Sequence, residues 1–299
     1  MSIRPVKRLV KSTPTLEGAG VHLRRAFGFG ETADVDPFLL LDDFRNDRPD
    51  DYLAGFPWHP HRGIETITYV LAGNVDHADS LGNKGTIGAG DVQWMTAGSG
   101  IIHQEMPHGN DRGQMHGFQL WANLPSSHKM TMPRYQEVKS NDIPEVTDDD
   151  GTKVRVICGS FWGQSGPVDG VAAEPQYLDI RVPAGRRRSL PVATSRNAFA
   201  YVFGGSGRFA NASDLQPVKT DRIGGGAEGE DADNRSLVVF DSGDEITVQA
   251  GEEGIRFLLV SGTPIQEPVA WRGPIVMNTN EELRRAFEEF RAGTFLKHG

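Results

Sequence analysis

The sequence predicts an all-β protein of two successive barrels that ends in one helix. Three observations carry this expectation. The 299 residues include 36 Gly and 18 Pro, spread between short β-branched runs, a pattern of many short strands joined by turns. The length suits two cores of about 150 residues each better than one. The third observation is a repeat: Tyr69-Val70-Leu71-Ala72-Gly73 returns as Tyr201-Val202-Phe203-Gly204-Gly205, and Gly90-Asp91 with Ala97-Gly98 returns as Gly243-Asp244 with Ala250-Gly251 at the same internal spacing. Two matches in the same order indicate a duplicated barrel.

Taken in order, residues 7–10, 18–27 and 38–41 read as strands, the last a short apolar run leading into Asp42-Asp43 and better suited to a buried strand than to a helix. A polar loop over 45–51 precedes a histidine-rich stretch, and 117–125 reads as a further strand. Residues 139–152 form an acidic linker containing Asp148-Asp149-Asp150-Gly151. The expected domains are therefore 1–138, carrying the functional site, and 153–299. The second domain is longer by an insertion at 211–234, rich in glycine and acids, which reads as a mobile surface segment. The chain closes with a helix over 280–292. Thr279 to Glu282 makes a capping box, Leu283, Ala286, Phe287 and Phe290 recur at helical spacing, and Gly293 supplies the stop.

The stretch from Trp58 to Glu105 carries the chemistry. It opens with His59-Pro60-His61 and closes with His103-Gln104-Glu105. In a strand, residues i and i+2 face one way, roughly 6.5 to 7 Å apart. Two such pairs on neighbouring strands inside a barrel bring three imidazoles and one carboxylate to a single point. That is a mixed N/O metal site with open positions, suited to Fe(II), with Mn, Co, Ni, Cu and Zn as alternatives. Glu65 follows His61 by an even step and is read either as an inward acceptor orienting a ligand imidazole or as a surface acid; His77 and Asp79 share that ambiguity. Counted from the repeat, the second half offers Pro191, Ala193, Arg256 and Leu258 where the first has His59, His61, His103 and Glu105. The imidazole site belongs to the first half, since no histidine lies between His128 and His298.

Composition excludes several classes. A formal net charge of -9 argues against binding a nucleic-acid backbone. No apolar run approaches the roughly 18 residues of a membrane-spanning helix, and the N-terminus has no signal-like apolar segment. The single cysteine, Cys158, forms no internal disulfide and asks for no oxidising compartment, so a cytoplasmic protein is expected.

These motifs, Gly55 to Gly63 with Glu65, His77 to Asn83, Gly90 to Gly98, Gly100 to Glu105, Gln119 to Pro125 and, more loosely, Gly273 to Thr279, closely resemble the pirin family of the cupin superfamily. The resemblance implies two stacked jelly-roll domains, with iron in the N-terminal one held by His59, His61, His103 and Glu105. Cupins usually take the carboxylate matching Glu65, whereas pirins use the one matching Glu105. Some pirins resemble quercetin 2,3-dioxygenases, which implies a small aromatic chelating substrate, O₂, and Glu105 as ligand and general base. Phe56 and Trp58 are then expected to line the pocket. Other pirins resemble iron-dependent redox sensors that bind a transcription factor or a metabolic enzyme, a role for which the insertion could serve as the docking element.

Overall fold

The computed structural model describes residues 2–210 and 231–298. In chain order the strands are β1 (Val6–Lys11), β2 (Thr13–Glu17), β3 (Val21–Phe27), β4 (Phe38–Asp43), β5 (Phe56–His61), β6 (Ile64–Ala72), β7 (Asn74–Asp79), β8 (Lys84–Ile87), β9 (Val92–Thr96), β10 (Ile101–His108), β11 (His116–Asn123) and β12 (Arg134–Val138). They continue with β13 (Glu145–Thr147), β14 (Lys153–Cys158), β15 (Ser160–Phe161), β16 (Gln164–Ser165), β17 (Gln176–Val182), β18 (Arg187–Pro191), β19 (Asn197–Phe209), β20 (Ala232–Asp233), β21 (Ser236–Phe240), β22 (Glu245–Gly262), β23 (Ala270–Arg272) and β24 (Ile275–Met277), and the helix α1 spans Asn280–Arg291. The all-β expectation with a terminal helix holds. None of the described helices is long and apolar enough to cross a membrane.

The chain divides into two compact units, but not at one cut. One holds residues 13–143, 167–174 and 264–299; the other holds 1–12, 144–166 and 175–263. This corrects the contiguous division at 138 and 153. The N-terminal strand β1 pairs with β21, so it completes the second barrel. The helix α1, expected with the second half, packs in the first barrel instead. Its Leu283 and Ala286 are buried with Ile275, Met277 and Phe295, beside Ile102. Burying a leucine side chain contributes about 1.5–3 kcal/mol, and Arg62 adds polar fixings. Arg62 donates to Glu289 at 2.8 Å and to the carbonyls of Ser99 at 2.7 Å and Phe295 at 2.6 Å. The acidic linker is also partly structured, since β13 lies within it and pairs with β14. Most of the predicted insertion at 211–234 lies outside the described residues; within it, Ala232–Asp233 form β20 against β19.

In the first barrel a seven-stranded sheet, in the order β12-β9-β6-β11-β4-β3-β2, belongs with a four-stranded sheet, β5-β10-β7-β8. The second barrel uses one nine-stranded sheet with β1-β21-β19-β22-β17-β14-β13 as its path. All strand pairs of both are antiparallel, as short hairpin-linked strands demand.

The strand pairing revises how the halves correspond. β6 lies between β9 and β11, and the first part of β19 lies between β21 and the end of β22. β5 pairs with β10, and β18 pairs with the start of β22. The counterpart of β10 is therefore residues 245–250, and not the stretch holding Arg256 and Leu258. The Gly-Asp and Ala-Gly matches had placed it one strand too late, because β22 runs unbroken through two strand positions. In the corrected place the core-facing residues are Leu190, Ile246 and Val248, all fully buried in the second barrel's core.

Candidate metal centre

The histidines stand where the alternation of β5 and β10 puts them. His59 and His61 are two apart on β5, and His103 sits opposite His59 on β10. One nitrogen from each of the three lies within 4.8 Å of the others. His59 Nε2 and His61 Nε2 are 3.1 Å apart, the separation expected of neighbouring ligands each about 2.1 Å from one ion. On the far side of each ring, Nδ1 of His59 meets the carbonyl of Pro57 at 2.9 Å and Nδ1 of His61 that of Pro274 at 3.1 Å. Donating there holds the proton on Nδ1 and leaves Nε2 bare, the arrangement usual for metal-binding imidazoles. Neither ring nitrogen of the buried His103 has a hydrogen-bond partner, an unsatisfied state that normally has an explanation.

The electrostatics agree. Burial holds His59 below the ordinary imidazole range, and burial together with neighbouring imidazoles holds His61 and His103 well below it. All three are neutral at pH 7, the form that ligates. The donor set thus fits a divalent first-row ion.

Glu105 is buried on the same strand, two residues beyond His103, but it does not join the three-imidazole group. Its Oε1 lies 3.2 Å from the Thr68 hydroxyl, whose one proton goes to the nearer Gln119 Oε1 at 2.7 Å, and burial raises its carboxyl to about 7. Glu65 faces elsewhere. Ile64 and Thr68 point to the inner side of β6, as shown by Ile64 in the core with Ile101 and by the approach of Thr68 to Glu105. Glu65 therefore lies on the outer side, where Thr96 donates to it at 2.7 Å, and it orients no ligand imidazole. The even count from His61 fails because the turn at Arg62-Gly63 breaks the alternation. Gly63 has φ 77°, and a Cβ there would run into the Val276 carbonyl oxygen, so only glycine fits.

His77 and Asp79 face the same way as Glu105 and His103, being their cross-strand neighbours. His77 Nε2 lies 2.6 Å from Glu137. Asp79 caps its own turn, accepting from the amides of Leu81 and Asn83 at 2.8 and 2.9 Å.

A cavity of about 720 Å³ opens on His59, His61 and Glu105, a volume that suits a drug-sized molecule. Phe56 lines it as expected and Trp58 does not; Trp58 is 54% exposed. A bulge brings Phe56 in: His59 pairs with His103 but Glu105 pairs with Phe56, so two residues of β5, Pro57 and Trp58, oppose Gln104 alone. Trp58, next to the inward His59, is turned out by alternation. Its place is taken by Trp121, edge-on to His61 at 5.1 Å, with Trp271 beyond it at 6.0 Å. These two tryptophans, with Thr68 and Gln119, were not singled out in the sequence. The available signal was the threonine pair Thr66 and Thr68 inside a strand that, Glu65 apart, is otherwise built of aliphatic and aromatic residues.

A histidine-lined pocket able to hold a metal inside a jelly-roll barrel, followed by a second barrel of like strand order, defines a two-domain cupin. The pirin family model matches residues 20–122, and the model of the pirin C-terminal cupin domain matches residues 177–296. A pirin-like protein of Caulobacter vibrioides is 45% identical over 99% of this chain and 100% of its own length. A Pseudomonas aeruginosa protein provisionally named a quercetin 2,3-dioxygenase is 40% identical over 97% of each. The crystal structure of a quercetin 2,3-dioxygenase from Acinetobacter baumannii superposes with a TM-score of 0.84 at 30% identity, covering 98% of this chain and 99% of that one. The chain belongs to the pirin family.

Proposed function

We propose that this protein is an iron-dependent dioxygenase that opens a flavonol-like chelating substrate with O₂ and releases carbon monoxide. One observation carries the reading: three neutral imidazoles converge, and two of them, His59 and His61, line an aromatic-walled cavity together with the buried carboxylate of Glu105. His59, His61, His103 and Glu105 are the proposed ligands, with a side-chain movement of Glu105 completing the set. When bound, a divalent ion supplies Lewis acidity for a chelating oxygen pair and a place for O₂.

The chain's own residues do the rest. Glu105, with its carboxyl near 7, is poised to take the proton of the substrate hydroxyl at neutral pH. Thr68 lies against that carboxylate. Trp121, Phe56 and Trp271 present flat apolar faces to a planar ring and keep water from the reacting edge. The quercetin 2,3-dioxygenase names of two similar proteins support this substrate class. The chain's net negative charge fits a small-molecule enzyme without nucleic acid partners, and its one cysteine, buried and in no disulfide, fits a cytoplasmic setting.

The test is anaerobic reconstitution with Fe(II), then addition of quercetin and O₂, following flavonol absorbance and carbon monoxide against His59→Ala. Metal-dependent loss of flavonol with carbon monoxide supports the reading. Stoichiometric iron that cycles between oxidation states without turnover overturns it in favour of a redox-responsive regulatory protein.

A further inference from the structure

A single row of polar side chains crosses the cavity-facing side of the seven-stranded sheet. Its members stand opposite one another in the strand register. Arg25 faces Asp42, Asp42 faces Gln119, Gln119 faces Thr68, Thr68 faces Gln93, and Gln93 faces Glu137. Six strands thus contribute one polar residue each, where the inside of a barrel is ordinarily apolar. Polar groups so placed cost free energy unless they are bonded, which calls for a reason.

Four of the six, Arg25, Asp42, Gln119 and Thr68, line the cavity. Thr68 marks the end next to the metal centre, with its hydroxyl 3.2 Å from Glu105 Oε1 and 2.7 Å from Gln119 Oε1. The other end is fixed by ions. Arg25 grips Asp42 with two bonds of 2.8 and 2.7 Å and reaches Glu17 at 2.8 Å. Two carboxylates share the one guanidinium of Arg25, and Arg272 also lines the cavity. Each Asp42 oxygen retains a lone pair beyond its arginine bond. With Oε1 of Gln119 turned to Thr68, its amide nitrogen remains a donor. Strands are about 4.8 Å apart, so Thr68 and Asp42 are separated by roughly 10 Å, the reach of a molecule with two or three fused or linked aromatic rings.

We propose that Asp42, braced by Arg25 and assisted by Gln119, is the specificity determinant for the end of the substrate remote from the metal, accepting a hydrogen bond from a phenolic hydroxyl there. This rests on the dioxygenase reading and narrows it to planar, uncharged polyphenols that chelate at one end and carry a free hydroxyl at the other. A carboxylate in that second position is disfavoured because it would meet the Asp42 carboxylate, which has no proton to donate to it when ionised. Asp42 is a positioning residue: it acts on where the substrate lies, not on the bond that breaks.

The test is binding without turnover. Iron(II)-loaded protein kept free of O₂ is titrated with quercetin and with its analogues lacking the hydroxyls of either terminal ring, by quenching of tryptophan fluorescence. A hydrogen bond to a charged acceptor predicts a roughly tenfold to hundredfold preference for quercetin over one of the analogues. Asp42→Asn, close in shape, is expected to erase that preference while leaving affinity for the disfavoured analogue unchanged. Gln119→Met, which leaves the Arg25 and Asp42 pair intact, is expected to reduce it in part. Equal binding of all three compounds, or a preference that survives in both variants, overturns the proposal and leaves the dioxygenase reading standing. Failure of the iron-loaded protein to bind any of the three overturns both.

Discussion

The two barrels have corresponding strand pairs but different interiors. In the first, the pair β5 and β10 points His59, His61 and Glu105 into a cavity. In the second, the corresponding pair, β18 and the start of β22, points Leu190 and Ile246 into a filled core. Aromatic rings complete the filling there, with Phe209 packed edge-on against Phe240 at 5.5 Å and against Phe257 at 5.4 Å. The difference teaches that backbone pairing fixes the barrel, while its inward side chains decide whether the interior becomes a site. A hollow, polar interior forgoes the packing that a filled one gains.

The largest expected effect follows from the side chains that distinguish the barrels. His103→Ala or His59→Ala should weaken metal binding by more than roughly a hundredfold, because removing a ligand exceeds the loss seen when a ligand's support is removed; metal content of the purified protein checks this. The reverse graft, Leu190→His with Ile246→His, should gain no metal and should destabilise the protein, since nothing there satisfies the buried imidazoles. Stability supplies the next contrast. Ile246→Ala should cost about 2–5 kcal/mol in urea denaturation, whereas Thr68→Val, facing an existing cavity, should cost about 1 kcal/mol or less.

The third prediction concerns pH. Burial raises Glu105 to about 7 from 4.5, so the metal-free fold binds its proton more tightly than the unfolded chain does. Its contribution is full below about pH 4.5 and is lost as pH rises through 7, a span of ~3 kcal/mol. Glu105→Gln should flatten that slope in metal-free protein. With Glu105 as the proposed fourth ligand, metal uptake should strengthen over the same interval, and a metal titration at several pH values reads this directly. The smallest effect belongs to Trp58→Ala, which should change stability and metal binding by less than about 0.5 kcal/mol, in contrast to Phe56→Ala at the cavity wall.

Much of this was legible in the sequence because it depends on period and residue type. Strand character, the capping box of α1 and the three histidines all follow from local pattern. Features that depend on departures from period were not legible. The bulge in β5 separated the fates of Phe56 and Trp58, which unbroken alternation puts on one face, and the turn at Gly63 reversed the facing of Glu65. The polar row from Arg25 to Glu137 is assembled from strands distant in sequence, so no local window contains it. The repeat was real, but its second motif was matched one strand too far along because two strand positions run together in β22.

The exchange of chain ends between the units has a consequence for synthesis. His59, His61 and His103 leave the ribosome early. The segment that supplies Trp271 and Pro274 to their pocket, and α1 to the anchor of Arg62, is made last. The barrel with the three histidines is therefore completed only after the whole second barrel has been translated, and a nascent chain halted at the acidic stretch presents the imidazoles without the part of their wall that Trp271 and Pro274 supply.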